Sequence, residues 1–287
     1  GGGRNDEPKL FNYAVTVEWL VQFTLDHDCW EWPTSRVVED IIKPKTAAKK
    51  CRFIDHDAAM LLGRTGRGGA SGADHALSFG PAHAFISHSW ANKFGVLVAA
   101  AAHHSRPGRR VWLDVFAINQ WEPSADLGAM EAVIEACEEG TVMVLDTAAL
   151  RQAGGLGSER NPMTRIWCLY ESWRSLLSER PLIVMMCRRF TVSPPPTEQQ
   201  DGNGEAEPFI QRLSSMSQIV TLEEEDDEKF VAKLNTYKAV RDANATNQQD
   251  KVNILDAMEK SSLGIMPVDK MLGRYLVVYS VVNRHKV

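Results

Sequence analysis

Residues 141–146 read Thr-Val-Met-Val-Leu-Asp, a short apolar run that directly follows Gly140. A continuous apolar run of this length is typical of a strand that is buried on both faces of a parallel sheet. Comparable runs occur at 83–87, 110–116, 182–186 and 218–222. Segments with helical spacing of apolar residues lie between them, at 93–104, 127–137 and 167–177. The alternation predicts an α/β fold with a doubly wound parallel sheet of five strands.

The segments on either side of this predicted sheet have helical character instead. We therefore divide the chain into a cloning scar or disordered start at 1–8, a helical N-terminal extension at 9–79, the α/β domain at 80–222 and a helical C-terminal extension at 223–287. The N-terminal extension contains a glycine-rich stretch, 63–72. That stretch lacks the Gly-Lys-Ser/Thr ending of a phosphate-binding loop, so we interpret it as a linker.

The composition excludes several functional classes. Apolar residues make up 44% of the chain and include eight tryptophans, which is enough core material to exclude a disordered protein. The formal net charge of −5 argues against bulk nucleic-acid binding. The longest apolar run, 94–102, is too short to span a membrane. The five cysteines lack metal-site spacing, so we expect free thiols, no bound metal and a cytoplasmic location.

Polar and aromatic side chains cluster where the first two predicted strands end. In chain order they are Ser87, His88, Ser89, Trp90, Asp114, Phe116 and Asn119. Ligands of doubly wound sheets bind at the carboxyl ends of the strands, so this edge is where we expect the chemistry. The adjacent His103 and His104 end a predicted helix, and we interpret them as capping side chains rather than metal ligands.

The helix predicted at 167–177 carries a carboxylate close to this edge. Glu171 lies about two turns into that helix, with the indole of Trp167 four residues before it. The ring is suited to packing against a planar base, and the carboxylate is suited to stabilising an oxocarbenium-like ribosyl transition state. An exposed ion pair between Glu171 and Arg174 is the alternative interpretation. The spacing alone leaves both open.

Three motifs then point to a family. They are Phe-Ile-Ser-His-Ser-Trp at 85–90, Val-Trp-Leu-Asp at 111–114 and Trp-Cys-Leu-Tyr-Glu at 167–171. Their order and spacing resemble the opening strand, the strand before the BB loop and the Trp-Cys-x-x-Glu helix start of Toll/interleukin-1 receptor (TIR) domains. The resemblance covers 81–222, about half of the chain. The first two motifs also resemble TIR-like proteins of algae and other protists.

The resemblance implies a flavodoxin-like fold and cleavage of NAD+ at the nicotinamide–ribose bond. NAD+ is then the substrate, no cofactor or metal is needed, and Glu171 is the catalytic residue. The resemblance also implies self-association, or assembly with another TIR-like domain, through the region that begins at Asp114. We expect neither a nucleic-acid nor a membrane partner. The expected substrate-binding residues are Ser87, His88, Ser89, Trp90, Asp114, Phe116, Asn119, Trp167 and Cys168.

Two other functions stay open at this point. The chain is also compatible with a non-enzymatic TIR-like assembly module, because some TIR domains act as adaptors. A helix-borne carboxylate would equally serve another N-glycosidic enzyme, such as a nucleoside hydrolase or transferase. Turnover of NAD+, and its dependence on Glu171, separates these alternatives.

Overall fold

The computed structural model describes residues 10–56, 78–123, 126, 129–152, 154–193, 218–225, 227–230, 240–245 and 247–265. Within them the chain forms a mixed sheet of seven strands in the order β2-β1-β4-β3-β5-β6-β7. The strands are β1 (Ala14–Thr16), β2 (Phe79–Gly80), β3 (Ala84–Ser87), β4 (Arg110–Trp112), β5 (Thr141–Asp146), β6 (Leu182–Val192) and β7 (Val220–Glu224). The α/β class predicted from the alternating pattern is therefore confirmed.

The centre of the sheet is parallel. Strand β3 pairs in parallel with both β4 and β5, and β5 pairs in parallel with β6. All four residues of β3 and all six residues of β5 are buried. Burial on both faces explains why these strands appear in the sequence as continuous apolar runs without alternation.

Helices cover the two faces of this sheet. The main ones are α1 (Val17–His27), α2 (the consecutive segments Thr34–Val37, Val38–Ile42 and Lys43–Thr46), α3 (Phe94–Ala102), α4 (Met130–Ala136), α5 (Ile166–Leu177) and α6 (Gln248–Lys260). Single α-turns occur at Asp114–Ala117 and Thr147–Leu150, and 3-10 turns at Leu10–Asn12, Gly155–Gly157, Pro162–Thr164 and Val240–Asp242. In the described part of the chain, no helix combines the length and apolar character that crossing a membrane requires.

The predicted five-stranded parallel sheet is wrong in two respects. Strand β7, predicted to be the fifth parallel strand, runs antiparallel to β6. Strands β1 and β2 come from the predicted helical N-terminal extension and pair antiparallel with each other, and β1 also pairs antiparallel with β4. Strand β1 has three residues and β2 has two, which is too short to display a period of two in the sequence.

The second half of β6 explains the error at β7. The predicted strand stops at Met186, but β6 continues to Val192. Beyond Cys187 it leaves β5 and pairs with β7 as a two-stranded ribbon whose side chains, apart from the buried Val220, are exposed or half-buried. The acidic block at 223–228, which we expect to begin a helix, ends β7 with its first two residues and begins a helical segment with its last residue, Glu228.

Another predicted element ends at a different residue in the structure. The strand predicted at 110–116 stops at Trp112, because Asp114 begins a buried helical turn. Periodicity cannot separate an apolar strand from one buried turn. The predicted linker at 63–72 lies outside the described residues. We also expect a short helix at 209–213 and either a helix or a strand at 271–282, and these segments lie outside the described residues as well.

A cluster of aromatic rings joins the N-terminal helix to the sheet. Trp19 and Phe23 of α1 pack edge-on against Phe116, with ring centroids 5.2 and 5.1 Å apart. Phe53 and Phe94 contact the same ring at 5.6 and 6.3 Å. Edge-to-face pairs at these distances each contribute about 1 kcal/mol beyond the burial of their area. Residues that precede the predicted α/β domain thus belong to the main hydrophobic core.

Gly140, which leads into β5, provides a test of the register between β5 and β6, in which Thr141 pairs with Leu182. Its φ is +79°, and a Cβ there would overlap the Pro181 carbonyl oxygen. The same carbonyl accepts the Thr141 N–H at 2.8 Å. We expect Gly140→Ala to lower the free energy of unfolding, measured in urea, by more than about 2 kcal/mol.

Gly108→Ala is the matched control for this substitution. Gly108 also has a positive φ, +72°, but a Cβ there would meet nothing within 4 Å. It therefore isolates the backbone penalty, about 1 kcal/mol. Equal losses in the two variants would contradict the close approach of Gly140 to Pro181.

Candidate active site

The burial of helix α5 on two faces positions Glu171. One face packs against α6 in a cluster that includes Trp173. The other face meets the sheet, where Ser175 Oγ donates to Thr141 Oγ1 of β5 at 2.6 Å. Glu171 lies one helical turn before Ser175, so it shares the sheet-facing side. Its side chain is consequently buried, with 7% of the residue surface exposed.

Five buried polar atoms at this edge of the sheet lack hydrogen-bond partners among the described residues, and four more lie elsewhere. Those at this edge are Ser87 Oγ at the end of β3, His88 Nε2 directly after it, Asn92 Oδ1 in the segment that follows, Asp114 Oδ1 after β4, and Glu171 Oε2 on α5. Buried polar atoms in folded proteins nearly always have a partner, so each exception calls for an explanation. Because ligands of doubly wound sheets bind at the carboxyl ends of the strands, the concentration of exceptions there makes this edge the candidate ligand-binding surface.

The carboxyl group of Glu171 is strongly perturbed. Burial raises its pKa from the usual 4.5 to about 8. The neighbouring Ser87 hydroxyl opposes the rise, Asp114 adds to it through charge repulsion, and Arg165 opposes it. Ser87 Oγ nevertheless forms no hydrogen bond of acceptable geometry with this carboxyl. At neutral pH, Glu171 in the free protein is therefore mostly protonated.

His88 is buried in the same environment, and its pKa is shifted in the opposite direction, downward. Desolvation lowers the pKa of its imidazole, Asp114 raises it and Arg165 lowers it. The ring is consequently neutral at pH 7. The backbone carbonyl of His88 accepts the Cys168 thiol at 3.3 Å, which links the end of β3 to α5.

An indole is fixed beside this group by Asp114. Trp90 Nε1 donates to Asp114 Oδ2 at 2.9 Å, and Asp114 Oδ1 is the unpaired atom described above. The Trp90 side chain is half-buried and packs against the main core. Gln120 Nε2 donates to the Asp114 backbone carbonyl at 2.9 Å and holds the turn that carries this carboxylate.

The loop that precedes α5 is fastened to the same edge. Ser89 Oγ donates to the Glu159 carbonyl at 2.5 Å, and Asn92 Nδ2 donates to the Arg160 carbonyl at 2.9 Å. Asn161 then caps the 3-10 turn at Pro162–Thr164. Ser89, predicted to contact substrate, thus anchors a loop through its hydroxyl.

Three other predicted site residues occupy different environments, whereas Cys168 is buried beside Glu171 and Ser87. Phe116 lies fully buried in the aromatic cluster. Asn119 donates through its backbone to Asp126 and through its side chain to the Lys50 carbonyl. Trp167 Nε1 donates to Asp250 Oδ2 of α6 at 3.3 Å. Burial raises the pKa of the Cys168 thiol well above its usual range, which excludes a thiolate nucleophile at neutral pH.

The alternative interpretation of Glu171 as half of an exposed ion pair is wrong. Arg174 reaches across to α4, where it pairs with Glu131 at 3.2 Å and also with Glu135. The Glu171 carboxyl faces the other way, toward the sheet. One residue that the motifs did not single out also acts here: Arg165, directly before α5, influences the pKa of both Glu171 and His88. The one signal for Arg165 in the sequence is its position immediately before the predicted helix.

The raised pKa of Glu171 predicts a specific pH dependence of stability. The unfolded chain releases this proton near pH 4.5, whereas the folded protein retains it up to about pH 8. The contribution of Glu171 to the free energy of unfolding is therefore complete below pH 4.5 and falls by a few kcal/mol as the pH rises to 8. We expect Glu171→Gln to remove this decline and to be the more stable protein at about pH 9, as measured by urea unfolding across the pH range.

Glu179→Gln is the control, because Glu179 is an exposed glutamate just beyond the end of α5. It should leave the pH profile of stability unchanged. Parallel profiles for the native protein and Glu171→Gln would contradict the buried, protonated state of Glu171.

Comparisons with known proteins do not add a relative. A scan against protein-family models, a search of curated proteins and a search of solved structures each find no match to this chain. The resemblance to TIR domains therefore stays a prediction from the three motifs, each of which contributes a residue to this group of buried polar side chains.

Proposed function

We propose that this protein is a TIR-like NAD+ glycohydrolase that cleaves the nicotinamide–ribose bond with Glu171. The observation that carries the proposal is the buried, unpaired Glu171 carboxyl at the carboxyl ends of β3 and β4, beside the unpaired atoms of Ser87, His88 and Asp114. The four parallel strands support it as well. Their order, β4-β3-β5-β6, corresponds to 2-1-3-4, the order found in the parallel core of flavodoxin-like sheets.

The proposed chemistry is the departure of a good leaving group. The bond between C1′ of the ribose and the nicotinamide nitrogen breaks, and the nicotinamide leaves as a neutral molecule with the bonding electron pair. Ionised Glu171 stabilises the positive charge that develops at C1′ and hydrogen-bonds the ribose hydroxyls. Water then adds to C1′ and releases a proton, which gives ADP-ribose.

The positive charge of the substrate favours ionisation of Glu171, which is protonated in the free protein. The nicotinamide ring of NAD+ is a pyridinium cation, and an opposite charge a few ångströms away favours the ionised carboxylate. Binding of NAD+ should therefore lower the pKa of Glu171 from about 8 toward its usual range. A neutral ligand would leave this carboxyl protonated at pH 7.

Trp90 and Asp114 supply the recognition surface in this proposal. The half-buried indole of Trp90 is held by Asp114 Oδ2, which gives a fixed aromatic face for a planar ring. Trp167, expected to play this role, donates to Asp250 on α6 and is assigned none here.

A second candidate follows from the same pKa. A carboxyl that is protonated at neutral pH can act as a general acid, as in enzymes that protonate a poor leaving group. This property favours hydrolysis of a neutral nucleoside, whose base needs a proton in order to leave.

The pH dependence of turnover separates the two chemistries. If ionised Glu171 is the working form, kcat/KM for NAD+ should rise about tenfold for each pH unit below the pKa and level off near pH 8. If protonated Glu171 is the working form, kcat/KM for a nucleoside should be level at low pH and fall above about pH 8.

Substitution of Glu171 tests the proposal directly. We expect Glu171→Gln to reduce NAD+ cleavage, measured as nicotinamide release, by at least about 100-fold. Glu179→Gln should retain full activity. If the native protein leaves NAD+ and nucleosides intact, and assembles with concentration equally well with and without Glu171, the non-enzymatic assembly module is supported instead.

The indole is tested by a graded pair of substitutions. Trp90→Phe keeps an aromatic face but loses the hydrogen bond to Asp114, and Trp90→Ala loses both. We expect the KM for NAD+ to rise modestly in the first variant and by at least about tenfold in the second, in line with one lost stacking interaction. Equal KM values in both variants and the native protein would exclude Trp90 from the binding surface.

A further inference from the structure

A second group of side chains lies at the end of helix α3, where it meets β7. His103 Nε2 lies 2.9 Å from Glu224 Oε1. One donor atom from each of His103, His104 and Glu224 lies within 4.8 Å of the other two. No other set of three histidine, cysteine or acidic side chains clusters this closely in the described ranges of the chain. We propose that these three residues bind a zinc ion.

The donor set is one that zinc prefers. Zinc in proteins is bound by imidazole nitrogens and carboxylate oxygens at about 2.0–2.2 Å, and two histidines with one glutamate form a known combination. Tetrahedral bonds of that length place the donor atoms about 3.3 Å apart. His103 Nε2 and Glu224 Oε1 are already near this separation. His104 completes the set through a small rotation of its side chain.

The backbone turns both imidazoles toward the same point. His103 ends α3, and its N–H donates to the Ala99 carbonyl. His104 has a φ of +51°, a left-handed conformation that is uncommon for residues other than glycine. As a result the two rings lie together, with centroids 4.0 Å apart. The conformation of His104 is thus what joins two adjacent residues into one donor pair.

The surroundings favour a cation that arrives from solvent. The carboxyl end of α3 carries the partial negative charge of the helix dipole. The His103 and Glu224 side chains are 15% and 32% exposed, and His104 is exposed, so the group is both accessible and partly shielded. The neighbouring acid, Glu223, is engaged with Arg188 and Arg189. His103 also occupies the C-cap of α3, so in this proposal it combines the expected capping position with a ligand role.

A bound ion would fasten α3 to the end of the sheet. Near its start, α3 already packs tightly on β6, because a Cβ at Gly95 would come within 2.5 Å of the Phe190 ring. Its other end contacts β7 through the His103–Glu224 bond. Zinc would replace the His103–Glu224 hydrogen bond by three metal–ligand bonds, and its binding energy would add to the stability of the folded state. This site is separate from Glu171 and is independent of the proposed hydrolase function.

The test is a titration of the full chain, freed of metal with a chelator, with zinc sulfate in a calorimeter. We expect one ion per chain, and at least about tenfold weaker binding in Glu224→Gln and His104→Gly. Glycine accepts the positive φ of His104, so the second variant keeps the turn while it removes a ligand. His27→Ala is the control, because His27 also ends a helix but contacts Lys45 rather than a carboxylate.

Thermal unfolding gives a second readout. Zinc at about 100 times the native Kd should raise the Tm of the native chain and of His27→Ala by several degrees, and should raise the Tm of Glu224→Gln by no more than about half as much. The proposal is overturned if the native chain binds no zinc, or if Glu224→Gln and His104→Gly bind it as tightly as the native chain does.

Discussion

Burial of the central strands on both faces is the constraint on which the rest of the molecule depends. Along β3 and β5 the backbone polar groups are satisfied by the parallel ladder, and apolar side chains fill both layers. Polar side chains are therefore confined to the points where strands end. Helix α5 crosses one such edge, so Glu171 meets other polar groups there while its carboxyl remains shielded from water. A shielded carboxyl without a cationic partner is sensitive to any positive charge that approaches it.

The two acids at the ends of β4 and β5 have separate tasks. Asp146, the last residue of β5, accepts the Ala149 N–H at 3.0 Å and caps a helical turn. Asp114, after β4, uses one oxygen to hold the Trp90 indole and leaves the other unpaired. A position at a strand end is therefore not enough to identify an acid that is available for binding or catalysis. The number of lone pairs that the protein itself consumes distinguishes a structural acid from one that is available to a ligand.

The sequence pattern correctly predicted those strands and helices whose signals lie within their own segments. Strand β5 and helix α5 were predicted within one residue. Strand β5 is a continuous apolar run, α5 has strong helical periodicity, and glycine, proline or polar residues flank both elements. The environments of Phe116 and Trp167 escaped prediction because their partners are distant in the chain. Phe116 packs against rings from α1 and Phe53, and Trp167 bonds to Asp250, 83 residues later. The antiparallel turn of β7 likewise depends on pairing that no local pattern records.

The position of β1 bears on how the protein can be divided. This three-residue strand lies inside the sheet, between β2 and β4. A fragment that begins at residue 80 would strip β4 of its neighbour and leave a row of open N–H and C=O groups. Such an edge recruits strands from other molecules. Oligomers of that fragment would then be artefacts of excision, and only the chain with its first strand in place can report native assembly.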